Sequence, residues 1–184
     1  MPAIRRLLIA NRGEIAVRIA RTARAEGIET VIAHAEDEAD APFVRAGDAT
    51  QALAGTGPAA HLAVDGVVAA AVAAGCDAIH PGYGFLSENP ELARACREAG
   101  ITFVGPGVSQ LETFGDKLRG RAVAEAAGVP VLAATTGSTD LAAAEAFFDE
   151  HGPLMVKAVA GGGGRGMRVV TERAELAEAM AACA

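Results

Sequence analysis

The clearest chemical signal in the chain is the run Lys157-Ala-Val-Ala-Gly161-Gly162-Gly163-Gly164-Arg165-Gly166-Met167. Ordering a glycine costs about 1 kcal/mol more than ordering an alanine. Four adjacent glycines, in a chain that is about a quarter alanine, therefore suggest a backbone that must approach something closely. Without Cβ atoms, successive N–H groups can line one concavity and meet phosphate oxygens. Lys157 ahead of the run and Arg165 behind it add a point charge and a planar fork. The order is not that of a GxxxxGK[ST] phosphate loop, because the lysine precedes the glycines. A flexible hairpin tip would use the same glycines; the flanking cations favour a phosphate lid.

A second signal is His80-Pro81-Gly82-Tyr83-Gly84-Phe85-Leu86-Ser87-Glu88-Asn89, at the predicted carboxyl end of a strand, where open α/β sheets hold ligands. It contains the single tyrosine, with a glycine on each side. Asn89 and Pro90 suit a helix start. The competing reading is turn chemistry alone, and for His80 a satisfied structural histidine outweighs a ligand or base. A third signal is Phe114-Gly115-Asp116-Lys117: Lys117 either reaches a nucleotide or is an isolated surface lysine, and spacing alone favours the surface lysine. Asn11-Arg12-Gly13-Glu14 has one glycine where a dinucleotide fingerprint needs G-x-G-x-x-G, which disfavours a nicotinamide or flavin dinucleotide. The acidic run Glu36-Asp37-Glu38 with Asp40 reads as a solvated loop. Cys76, Cys96 and Cys183 lack disulfide-framework or metal-ligand spacing and read as buried small hydrophobes in a reducing compartment.

The elements that must position these residues alternate between strand and helix. Ile4 to Ala10 reads as a buried strand, Glu14 to Glu26 as a helix with Ile15, Ile19 and Ala23 on one face, and Ile28 to His34 as the next strand. A helix over Leu62 to Ala74, a strand Cys76 to His80, a helix Pro90 to Ala99 and a strand Ile101 to Val104 follow. The alternation predicts parallel βαβ crossovers in an α/β, Rossmann-like, doubly wound sheet. A helix from Arg119 to Ala127 ends at Gly128, with Pro130 beyond, and the domain boundary is drawn near Gly128 to Thr136. A helix Leu141 to His151, a strand Leu154 to Ala158, the glycine-rich loop, a strand Met167 to Val170 and a helix from Glu172 complete the chain. The expected domains are 1–130 and 131–184, the second too small to bury much core and truncated inside its last helix.

The chain has 184 residues, 51% hydrophobic and 4% aromatic, so its core must be built largely from small side chains. Sixteen Lys and Arg against 23 Asp and Glu give a net charge of −7, which offers no field for nucleic acid or an anionic membrane. The apolar stretch near Val67 to Ala74 falls far short of the ~20 residues a spanning helix needs. The expectation is a cytoplasmic protein with a local phosphate site.

Taken together, Ile9-Ala-Asn-Arg-Gly-Glu-Ile-Ala16, His80 to Asn89, Phe103-Val-Gly-Pro106, Gly115-Asp-Lys117, Ala127-Gly-Val-Pro130 and Lys157 to Arg168 resemble the biotin carboxylase family of the ATP-grasp superfamily. The His80 to Asn89 string is the most specific, since other ATP-grasp ligases share the lysine and glycine-rich loop but not that segment. The resemblance implies a Rossmann-like domain followed by the start of an ATP-grasp lid domain. It implies that Lys117 and Lys157 contact ATP phosphates, that Gly163 and Gly164 lie where the loop closes over them, and that Tyr83 and Gly84 lie near the biotin end of the cleft. It further implies ATP with magnesium or manganese, bicarbonate, and biotin as carrier-bound substrate. The implied partners are a biotin carboxyl carrier domain and a carboxyltransferase, as in acetyl-CoA and propionyl-CoA carboxylases, with a homodimer in the full-length form. The family's magnesium, bicarbonate and biotin side chains fall beyond Ala184, so no catalytic residue or metal ligand is assigned. Another ATP-grasp ligase and a non-catalytic truncated scaffold are the alternatives.

Overall fold

The aliphatic runs near the amino terminus form strands β1 (Arg6–Ile9) and β2 (Glu29–His34), joined by helix α1 (Gly13–Ala25). Strand β3 (Ala49–Ala52), a short helix α2 (Gly57–Ala60), helix α3 (Val64–Ala73), strand β4 (Ala78–His80), helix α4 (Pro90–Glu98), strand β5 (Thr102–Phe103) and helix α5 (Val108–Gly115) follow. These describe the first of two units in a computed structural model, Met1–Gly115 and Asp116–Ala184; the described residues are 3–135, 137–158 and 166–183.

The five strands form one parallel sheet in the order β3-β2-β1-β4-β5. Alternation along β1 supplies both faces. Leu7 and Ile9 join Ile32, Ala78, Phe43 and Val44 beneath α1, whereas Leu8 joins Val31, Ile79, Val67, Leu92 and Cys96 beneath α3 and α4. Helices therefore cover both faces, as the doubly wound reading requires. Asn89 caps α4, its Oδ1 accepting the Glu91 N–H at 2.8 Å, and Pro90 occupies the first turn.

The sequence reading misses β3, whose Ala-Thr-Gln-Ala lacks the β-branched signal of a buried strand and lies at the sheet edge. It also misses α5. On α1 the predicted face shifts by one position: Ala16, Ala20 and Ala23 are buried, while Ile15 and Ile19 are only partly so. Alanine lets the helix axis approach the sheet, and the isoleucines close the flanks of that contact.

The second unit starts at the Asp116 cap of helix α6 (Lys117–Ala126), ahead of the Gly128 to Thr136 stretch where the sequence places its boundary. Helix α6 buries no residue. Helix α7 (Leu141–His151) is capped by Asp140, whose Oδ1 accepts the Ala143 N–H at 2.8 Å. Strands β6 (Leu154–Lys157) and β7 (Met167–Val170) pair antiparallel, and helix α8 (Leu176–Cys183) follows. Leu154, Val156 and Val170 pack with Ala144, Phe148, Leu176 and Ala179, so the helices cover one face of the hairpin. No helix among the described residues is long and apolar enough to cross a membrane. All three cysteines are buried and unbridged.

The close approach of α1 makes Ala16, fully buried, intolerant of bulk. Ala16→Leu is expected to lower stability by about 1–3 kcal/mol through overpacking, and Val17→Ala on the exposed side by less than about 0.5 kcal/mol. Urea unfolding of the two variants checks both values.

Candidate functional site

Strand order reverses between β1 and β4. The chain moves outward from β1 through β2 to β3, then returns to β4 on the other side of β1. Segments leaving the carboxyl ends of β1 and β4 therefore diverge, opening the crevice where parallel sheets bind ligands. Asn11 follows β1, and Pro81 to Asn89 follows β4.

Asn11 joins the two. It is fully buried, and its Nδ2 donates to the Pro81 carbonyl at 2.7 Å and the Tyr83 carbonyl at 2.9 Å, while its Oδ1 accepts the Arg12 N–H at 2.8 Å. Between the two carbonyls lies Gly82, at φ +67°, where a Cβ would come within 2.7 Å of Asn11 Nδ2 and 2.8 Å of Ile15 Cγ2. The Gly82 N–H donates to His80 Nδ1 at 3.0 Å. Burial pushes the His80 pKa down, so the imidazole is neutral and free to accept there. This is the structural role that the sequence favours for His80.

The turn thus held presents Tyr83, 61% exposed, whose hydroxyl donates to Glu14 in the first turn of α1 at 2.5 Å. That hydrogen bond, with desolvation and the Glu14 charge, raises the phenol's pKa and keeps it protonated. Gly84 is also at φ +67°, but a Cβ there would meet nothing within 4 Å. Its requirement is conformational only. Next, Phe85 adopts φ 45°, a left-handed conformation that costs a residue with a side chain roughly 1–2 kcal/mol. Its ring lies 5.3 Å from the His61 ring, with the Arg12 guanidinium 5.9 Å away.

The acidic run is solvent-exposed at Glu36, Asp37 and Asp40, as the sequence reading expects, and Glu38 alone is partly buried. Glu36 accepts the Gly55 N–H and Asp37 the Gly57 N–H, while Glu38 accepts Arg12 Nη1 at 2.6 Å, His61 Nε2 at 2.7 Å and the Ala35 N–H at 3.1 Å. Burial alone would raise the Glu38 pKa, but the hydrogen bonds from His61, Ala35 and Arg12 outweigh it and hold the carboxyl below its usual range. His61 is absent from the sequence reading, and Asn11, Glu38 and Phe85 enter it only as members of longer strings. Asn11 lies in a short polar stretch straight after a strand, which is a usable signal; His61 has none.

The lysines belong to the second unit. Lys117 is exposed at the first position of α6, after Asp116, whose Oδ1 accepts the N–H groups of Leu118 and Arg119 at 2.9 and 3.0 Å. Lys157 ends β6 opposite Met167, exposed on the face that the helices leave open, and the ladder continues through Ala158 N–H to the Gly166 carbonyl at 2.8 Å. Gly163 and Gly164 lie outside the described residues. Among the described residues no group of three or more His, Cys, Asp or Glu side chains could hold a metal ion.

Gly82→Ala is expected to destabilise by about 2–3 kcal/mol, combining left-handed strain with a steric clash, against about 1 kcal/mol for Gly84→Ala, which meets strain alone. Thermal melts measure the difference. The sign for Glu38 follows from its lowered folded pKa: its contribution is complete at neutral pH and is lost as the pH falls below about 4. Glu38→Gln should flatten that acid limb in a pH series of melts.

The family described as "Biotin carboxylase, N-terminal domain" matches residues 3–111, and "Carbamoyl-phosphate synthase L chain, ATP binding domain" matches residues 116–184. Pyruvate carboxylase of Staphylococcus aureus is 45% identical over 97% of this chain and 16% of its own length. Biotin carboxylase of Halalkalibacterium halodurans is 44% identical over 96% of this chain and 40% of its own. A Campylobacter jejuni biotin carboxylase solved with β-γ-ATP has a TM-score of 0.92 at 39% identity, covering 96% of this chain and 40% of that one. The biotin carboxylase domain dimer of Hydrogenobacter thermophilus 2-oxoglutarate carboxylase, solved with MgADP, ADP and bicarbonate, has a TM-score of 0.87 at 39% identity, covering 97% and 40%. The chain spans less than half the length of each of these relatives.

Proposed function

The chain belongs to the biotin carboxylase family, and from that premise we propose that it serves a carboxylase that uses MgATP and bicarbonate to carboxylate carrier-bound biotin. The observation that carries this reading is the Asn11-anchored turn presenting Tyr83 and Gly84 at the carboxyl end of the sheet. A rigid exposed turn beside the β1–β4 crevice suits a flat, largely uncharged group such as the ureido ring of biotin.

In this reading a bicarbonate oxygen attacks the γ-phosphorus of MgATP and ADP leaves, giving carboxyphosphate. Carboxyphosphate then breaks into CO₂ and phosphate, the phosphate takes the proton from a ureido N–H of biotin, and that nitrogen bonds to the CO₂ carbon. Phosphoryl transfer depends chiefly on positioning and charge neutralisation, so the contribution of this chain is to bind and orient. Lys157 and Lys117 are the groups for the ATP phosphates, and Gly163 and Gly164, outside the described residues, are the glycines that the family resemblance assigns to the same phosphates. Both lysines are exposed ammonium groups, one at a helix start and one at a strand end, which suits an anionic ligand. Tyr83, with its hydroxyl on Glu14, orients the acceptor end.

The partners in this reading are a biotin carboxyl carrier domain and a carboxyltransferase, and the full-length protein is a homodimer in the cytoplasm, a reducing setting suited to three unbridged thiols. A carbamoyl-type ATP-grasp ligase is the second reading, favoured by the description of the family matched over residues 116–184. ADP release by the full-length protein separates the two. Release that requires both bicarbonate and biotin supports the carboxylase; release driven by an amine acceptor without biotin supports the second reading. Lys157→Ala is expected to lower kcat/KM for ATP about 100-fold.

A further inference from the structure

His61 is 1% exposed, lies between α2 and α3 and is assigned no role above beyond its contacts. A buried histidine normally satisfies both ring nitrogens. Here Nε2 donates to Glu38 at 2.7 Å, while Nδ1, also buried, has no hydrogen-bond partner. One polar contact fixes one edge of the ring, and the Phe85 ring lies against it. The ring tilts 43° against Phe85, the residue in the turn with a left-handed backbone and a large side chain.

We infer that His61 is a positioning residue for the Tyr83–Gly84 turn: its ring, hooked to the Glu38 carboxylate, is the support against which Phe85 locks the turn in shape. The inference rests on the reading that this turn faces the biotin end of a carboxylase site. Three observations converge on it. Gly82 and Gly84 both adopt positive φ, so the turn has little stiffness of its own. Its internal bonds run on the far side, from the Ser87 N–H to Gly84 O and from the Asn89 N–H to Leu86 O. Phe85, between these regions, is bracketed by His61 and by Arg12, and both of those side chains end on the same Glu38 carboxylate. Glu38 is itself pinned by the Ala35 N–H at the end of β2. Glu38 and Arg12 are the charges at the His61–Phe85 contact, and Glu14 meets the turn at the Tyr83 hydroxyl. The chain thus gathers the ends of β1 and β2, the α2–α3 connection and the turn after β4 around one carboxylate.

The test uses the full-length carboxylase with His61→Ala and His61→Phe, reading amide hydrogen exchange across Gly84 to Asn89 against β1 and β2, and the KM values for free biotin and ATP. His61→Ala is expected to speed exchange in the turn about tenfold with the strands unchanged, and to raise the biotin KM about tenfold at constant ATP KM. His61→Phe keeps a ring against Phe85 and is expected to restore most of both. Phe85→Ala removes the contact from the other side and should reproduce the His61→Ala pattern should that variant fold poorly. Exchange unchanged in the turn, exchange raised equally throughout the unit, or biotin and ATP KM rising together would each overturn the inference. A wild-type protein without biotin-dependent ADP release would instead sink the carboxylase reading, and the exchange comparison alone would then decide whether His61 supports the turn.

Discussion

The amide of Asn11 holds together the two strand ends on which the crevice is built. Parallel strands β1 and β4 share a ladder only as far as their last residues. Beyond it α1 and the Pro81 to Asn89 turn leave in different directions, and main-chain bonding cannot join them. One buried side chain replaces that missing ladder, donating hydrogen bonds to the buried Pro81 carbonyl and to the Tyr83 carbonyl. The close approach it needs excludes a Cβ at Gly82, and Ile15 on α1 closes the same space. Geometry at the rim is therefore set by a short chain of contacts from sheet to amide to glycine to tyrosine.

Around that anchor, acidic side chains tie neighbouring segments together, two of them from exposed positions. Glu36, Asp37 and Glu38 each take a backbone N–H from a neighbouring segment. Glu38 adds one full charge partner and an imidazole. The lowered pKa of this carboxylate reflects hydrogen bonds that outweigh the cost of partial burial. Beneath the rim, the α1 alanines keep helix and sheet close, and a core with few aromatic residues achieves its packing by short distances rather than by large side chains.

The second unit follows a different principle. Its hairpin has one face covered by α7 and α8 and the other lined by Met155, Lys157, Met167 and Val169, all of them exposed. A two-stranded sheet with one covered face gains only part of the burial that strands usually need, so its stability depends on α7, capped at Asp140, and on α8. Lys157 lies on the open face, and Lys117 begins a helix that buries nothing of itself. In the proposed reading these are groups offered to a ligand.

Sequence alone determined the βα alternation, the parallel doubly wound sheet, the cap at Asn89, and the family resemblance carried by the His80 to Asn89 string. These are local or periodic signals: strand and helix repeats, caps and glycine placement act within a few residues. It could not supply the edge strand β3, whose small polar residues acquire their conformation only from pairing with β2. Nor could it separate Ala16 from Ile15 as the residue facing the sheet, because that rotation depends on how closely helix and sheet approach. The network of Asn11, Glu38, His61 and Phe85 was likewise decided by tertiary structure. Its members are 23 to 72 residues apart in their key contacts, and a side chain's partner across that distance is set by strand order, not by spacing. Within an acidic run that is otherwise solvated, Glu38 alone was drawn into the support of the rim.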